Sequence, residues 1–149
     1  MNCMPLFDDS VPKRFLWPID ATWPQRRADL LMKKFELCFP EITYDMDSAI
    51  ELANAQAFRD DGMMRVRVFG GLVRHRKIRM EGLAVALAHE TGHHLGGPPY
   101  LQFYRWLSSE ERATDWGLTV GLRKVFGEAR SESIAKHGTE QLRAIEAVE

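Results

Sequence analysis

His89, Glu90 and His93 stand in the order H-E-x-x-H within "LAHETGHHLGG", at the end of an apolar run. That spacing has a chemical use. On a helix, residues i and i+4 lie one turn apart on the same face, so two imidazoles can reach one cation while the glutamate between them handles the protons of a bound water. A zinc ion held by three protein ligands keeps a fourth position for that water and lowers its pKa to roughly 7, which makes a nucleophile available at neutral pH. The competing reading is a helix end whose histidines interact with the C-terminal dipole and solvent. His94 points roughly 100° around the helix from His93 and reads as structural.

Such a site needs a third ligand. Downstream, "SSEERATDWGL" offers Glu111, eighteen residues after His93, with Asp115 four residues further along the same helical face. A glutamate there would complete the coordination, and the aspartate would accept a ring N–H from a ligating histidine and so fix its tautomer. Glu110 is the neighbouring alternative, and Ser108-x-x-Glu111 also has the form of a capping box. The metzincin spacing fails at its last residue, because Pro99 stands where a third histidine is required. His137, outside that spacing, is the remaining route to a three-histidine site.

These side chains must be positioned by surrounding elements. The segment after Thr22 has Pro24 early and Leu31, Phe35 and Cys38 at i, i+4 and i+7, which predicts an amphipathic helix capped by Thr22 and stopped by Pro40. Three extended segments follow, "EITYDM", "ANAQAF" and "MMRVRVFG". The last two are joined by the Gly-containing "RDDGM", and Val66 and Val68 alternate with Arg65 and Arg67, which predicts a hairpin. From about Met80 the pattern is helical until "GGPP" ends it and allows the chain to reverse. A further helix is expected from Ser108 or Ser109 to Phe126, and a last one from Ser131 to Val148. Helix, small sheet, then helices is the order of an α+β fold.

With 149 residues, 45% of them hydrophobic, the chain has the size of one domain, residues 1–149, built on one core. Its formal charge of -1 provides no global field toward nucleic acid or an anionic membrane. The basic run from Arg65 to Arg79 reads either as an exposed strand face or as a docking patch for acidic ligands. The N-terminal segment lacks the continuous apolar stretch of an export signal, and no run approaches the roughly 18 apolar residues of a membrane span. A cytoplasmic protein with no membrane insertion is the expectation. Cys3 and Cys38 form no ligand-like cluster and read as ordinary thiols.

From Asn54 onward, the motifs "NAQAFRDDGMMRVRVFGGLVRH", "LAHETGHH" and "ERATD" resemble, in kind and order, those of gluzincin peptidases related to HtpX and the CAAX prenyl proteases, including the small soluble minigluzincins, over roughly residues 50–126. The resemblance implies a zincin-like α+β fold: a small, mainly antiparallel sheet, an H-E-x-x-H helix and a second helix carrying a glutamate ligand. With Glu111 as the first residue of the E-x-x-A-D pattern, Thr114 replaces its alanine. "NAQA" is also similar to the edge strand of thermolysin-like enzymes, whose backbone pairs with an extended substrate, so Asn54, Ala55, Gln56 and Ala57 would line the cleft.

The expected function is therefore that of a zinc-dependent metalloendopeptidase acting on a protein or peptide, with no nucleic-acid partner. Zn2+ would sit on His89, His93 and Glu111, Glu90 would act as general base and then acid, and Asp115 would orient a ligand. His137, Arg123, Tyr104 and His75 are the candidates for a donor to the tetrahedral oxyanion. The aromatic residues Tyr100, Phe103, Tyr104, Trp106 and Trp116 read as packing between helices or as a substrate pocket. A rival function is a zinc-stabilised binding module without catalysis.

Overall fold

The computed structural model of the protein describes residues 10–146; Cys3 and the N-terminal stretch considered for an export signal lie outside them. After a short 3-10 turn, Lys13–Phe15, comes helix α1, Trp23–Cys38. Its buried stripe of Ala28, Leu31, Met32 and Phe35 is the helical spacing that the sequence predicts. Thr22, however, makes no side-chain cap. Its own backbone is helical, with φ -84° and ψ -22°, so its hydroxyl is not in the extended geometry that lets a cap reach back to the first turn.

Strands β1 (Ile42–Asp47), β2 (Ala55–Asp60) and β3 (Met63–Phe69) form one sheet in the order β1-β3-β2. The β2–β3 hairpin turns at Asp61 and Gly62, both left-handed at φ 50° and 78°, the backbone that a two-residue primed turn requires. The sheet is mixed, not mainly antiparallel. β2 pairs β3 antiparallel, but β1 occupies the other side of β3 and runs parallel to it, Ile42 opposite Met64. The hairpin holds one edge of β3, and the connection from β1 to β2 carries the chain past it, leaving β1 the remaining edge.

Ile42, Tyr44, Ala55, Ala57, Val66 and Val68 are buried from this sheet. On the strand positions between them, Asp45 accepts from Arg65 at 2.9 Å and Arg67 at 2.7 Å. Arg74, from the Arg65–Arg79 run, is buried and donates to the carbonyls of Ser48 and Trp17 and to Glu51. Arg65, Arg67 and Arg74 of that basic run are thus paired with acids of the fold, while Arg76, Lys77 and Arg79 are exposed. After the short helix α2 (Gly70–Val73), α3 (Met80–Leu95) runs through the centre of the molecule and is buried from Gly82 to His93. It packs on α1, β2 and β3 and on the later helices α4 (Glu110–Trp116), α5 (Leu122–Phe126) and α6 (Glu128–Glu146).

Two devices fix α3. At its N-terminus no local side chain caps it; the Gln141 Oε1 of α6 accepts from Arg79 N and Gly82 N, each at 2.9 Å, satisfying donors the helix leaves open. Further along, α4 approaches very closely. A Cβ on Gly92 would lie 2.4 Å from the Ala113 carbonyl oxygen, and one on Gly117 would lie 2.9 Å from the Ala88 carbonyl. Only small residues permit that separation. The expected helix from Ser109 to Phe126 is present as α4 and α5 joined by a π turn, Gly117–Gly121. Among the described residues no helix is long and apolar enough to cross a membrane.

Candidate metal centre

His89, Glu90 and His93 lie on the last two turns of α3 and are 4%, 1% and 0% exposed. This excludes a solvated helix end. One donor atom from each lies within 4.8 Å of the others. The two imidazoles turn the same nitrogen inward: His89 Nε2 and His93 Nε2 are 3.1 Å apart, with the rings edge to face.

Glu110, at the first position of α4, completes the convergence. Its Oε1 lies 3.2 Å from His89 Nε2 and its Oε2 3.3 Å from His93 Nε2. The second contact lacks hydrogen-bond geometry, so Oε2 is a buried oxygen aimed at the same point as the nitrogens and not bonded to one of them. The carboxylate thus faces the 3.1 Å pair of imidazole nitrogens with one oxygen toward each, at 3.2 and 3.3 Å. Two imidazoles and a carboxylate are also a donor set that suits zinc.

Glu111 is not the residue the structure brings to the histidines, and Asp115 is not their orienting partner. One helical step rotates a side chain by about 100°, so with Glu110 facing inward, Glu111 turns to solvent and contributes to the outer wall of a cavity beside His89 with Thr114, Asp115 and Leu118. Asp115 accepts from Arg112 at 2.8 Å, and the Arg112 Nε donates to the Gly96 carbonyl at 2.6 Å, tying α4 to the end of α3. The capping residue is Ser109, whose hydroxyl accepts from Arg112 N.

The outward ring nitrogens are held by different groups. His93 Nδ1 donates to the Ser108 carbonyl at 2.6 Å, and since a carbonyl only accepts, the neutral ring presents a bare Nε2 lone pair to the centre. His89 Nδ1 lies 2.9 Å from the Thr114 hydroxyl, four residues after Glu110. Thr114 therefore takes the orienting place that the sequence assigns to Asp115. These partners fix ring orientation as the outer groups of metal sites do.

Charge follows the same geometry. Burial holds His89 below the usual imidazole range, against the raising effect of Glu110. For His93 burial also lowers the pKa, but the facing Glu110 carboxylate and the Glu90 charge outweigh it and the net direction is upward. Glu110 is pulled down because the two histidines more than offset its burial. Glu90 is pushed up to about 8, chiefly by burial, with a main-chain bond from Ala57 opposing. Its Oε1 has no partner.

The strand residues expected at the cleft lie at the start of β2 and are not among those lining the cavity beside His89. Ala55, Gln56 and Ala57 open β2, the edge of the described sheet, which packs against α3, and buried Asn54 precedes them, its Oδ1 accepting from Ala55 N at 2.9 Å. The aromatic residues after the helix break divide. Trp116 packs on Phe39 in the core. Tyr100, Phe103 and Trp106 are exposed, Phe103 at 80%, on a loop and not between helices. Tyr104 packs with Leu101 and Leu107 around Ala57.

The other proposed donors are placed elsewhere. His137 on α6 pairs with Ser133 and helps lower the pKa of Glu81, near the start of α3; twelve residues of helix, roughly 18 Å, separate Glu81 from His93. His75 is buried and stacked on Phe15, with Nδ1 accepting from Lys77 N. Arg123 is exposed on α5. His94 donates or accepts at no centre; its Nε2 lies 2.8 Å from the Arg65 carbonyl, consistent with a structural role.

Small residues were the available signal for Glu110. Ala113 and Gly117, the positions that let α4 touch α3, follow Glu110 at i+3 and i+7 and so share its face. No family model, curated protein or solved structure matches the chain.

Proposed function

We propose that the protein is a zinc-dependent metalloendopeptidase with His89, His93 and Glu110 as metal ligands and Glu90 as the proton carrier. The observation that carries this reading is the convergence of two buried, inward-turned Nε2 atoms and the Glu110 carboxylate beside Glu90. Placing Glu110 first in the E-x-x-A-D pattern also puts Ala113 on its alanine and leaves Thr114 as the one departure. This register strengthens the likeness to gluzincins and to a zincin-like fold.

Bound to these ligands, the ion would supply Lewis acidity and a lowered pKa for a water molecule. Everything else is done by the chain. Glu90, buried next to His89 and carrying an unpartnered oxygen, takes the proton from the attacking water and delivers it to the departing amine. A nearby cation favours its carboxylate form and lowers its pKa from the burial-raised value. An extended peptide lies along β2, whose Ala57 main chain already reaches Glu90. Tyr104, on the same apolar cluster as Ala57, is the donor best placed for the oxyanion, and the exposed aromatic residues of its loop suit an apolar substrate side chain.

The test pairs metal analysis with digestion of a peptide library. Wild type is expected to hold one equivalent of zinc and to cut; Glu90→Gln should hold the same zinc with turnover reduced by roughly 10²-fold or more. A Glu90→Gln protein that cuts as fast as wild type defeats the peptidase reading. Zinc without cleavage in wild type would instead favour a metal-stabilised binding module.

A further inference from the structure

A second region shows the marks of a ligand site, far from the histidines. Between α1, the start of α3 and the α5–α6 junction lies a groove of about 420 Å³. Trp23, Leu30, Met80 and Phe126 line its apolar surface, and Leu30 is 61% exposed. Met80 precedes His89 by nine residues of helix, roughly 14 Å, so the groove is distinct from the metal centre.

Four cations surround it: Arg26, Arg27, Lys34 and Arg130. No acidic residue lines it. Arg65, Arg67, Arg74 and Arg112 each meet a carboxylate. Among the described residues none of the four groove cations does. Three of them lean on rings instead: Arg27 over Trp23 at 5.0 Å, and Lys34 and Arg130 over Phe126 at 5.7 and 5.6 Å. Arg27 is held in place by donating to the Ile78 carbonyl at 3.0 Å, while its buried Nε has no partner. Glu81, the acid that Arg27 senses, is itself bonded to Gln141.

We infer that this groove binds a small organic anion, a carboxylate carried on an alkyl or aryl body. The apolar surface would take the body, and the unpaired cations would take the head without competition from an acid of the protein. The volume lies in the range of small-molecule sites, roughly 300–1,000 Å³. This reading is independent of the peptidase assignment.

Calorimetric titration of the full chain with free decanoate, below its aggregation concentration, tests it. One saturable equivalent is expected, with decanol, which has the same body and no charge, binding at least roughly tenfold more weakly. Lys34→Glu combined with Arg130→Glu, both at exposed positions, should weaken decanoate by a similar factor, while Glu90→Gln leaves it unchanged. The absence of saturable decanoate binding, equal binding of decanol, or full affinity in the double variant would overturn the inference. Binding to vesicles of anionic phospholipid but not to free decanoate would assign the groove to a membrane surface and overturn it as well. Should the double variant fail to fold, the decanoate–decanol comparison on wild type still decides.

Discussion

The outer sheet face and the end of α3 both gather charged or chargeable groups, yet they arrange them oppositely. On the sheet, Asp45 sits between Arg65 and Arg67 with each charge facing its opposite at hydrogen-bonding distance, and all three side chains are partly exposed. At the end of α3, two nitrogens and a carboxylate oxygen aim at one point in a buried setting, and Glu110 Oε2 is left without a hydrogen bond. The first arrangement is complete in itself. In the second, one oxygen of Glu110 meets His89 Nε2, while Oε2 faces His93 Nε2 without a hydrogen bond, a deficit that a cation between the groups would relieve. Convergence that leaves a buried oxygen unpaired distinguishes the candidate metal site from the ion-pair network.

The comparison can be broken most sharply at Glu110. Glu110→Ala should abolish stoichiometric zinc and all cleavage, whereas Glu111→Ala, one residue away, should retain both; metal analysis by mass spectrometry reads the difference. Zinc retained in Glu110→Ala would show that the convergence is incidental. Next in size is the helix contact that sets Glu110 in place. Gly92→Ala pushes a methyl group against the Ala113 carbonyl, with an expected loss of about 1–3 kcal/mol from overpacking and weaker metal binding together. Thermal unfolding with and without added zinc separates the two effects.

Thr114→Val removes the hydroxyl beside His89 Nδ1 while keeping the shape of the side chain. Zinc affinity is expected to fall by about 10–100-fold, as for other orienting partners of metal ligands, and competition against a chelator measures it. On the sheet the effects should be smallest. Asp45→Asn should cost about 1 kcal/mol or less at neutral pH and leave zinc binding untouched. Burial raises the Asp45 pKa, but the bonds from Arg67 and Arg65 more than offset it, so the folded value is depressed. The stabilisation by that charge is thus present above the ordinary carboxylate range and is lost as pH falls through the depressed value. The gap between wild type and Asp45→Asn should close on acidification, which denaturant titrations across that range will read.

Much of the scaffold was legible in the chain. The limits of α3 follow from its apolar run and the glycine–proline break, and the β2–β3 turn follows from Asp61-Gly62, because these are local effects of burial and backbone freedom. Thr22 misled because a residue of capping type need not adopt the capping backbone. The partner of β1 was not legible either, since strand pairing depends on where a connection passes and the alternation of side chains is the same for both directions.

For the site, the sequence by itself determined that His89 and His93 share a helical face with Glu90 between them. The period of the helix dictates this wherever the helix lies. Tertiary structure alone decided which glutamate meets them and that Thr114, not Asp115, backs His89. Adjacent positions differ by about 100° in direction, and the phase of α4 is set by Gly92 against Ala113 and Ala88 against Gly117. Those contacts join residues far apart in the chain, so no local spacing could choose between Glu110 and Glu111.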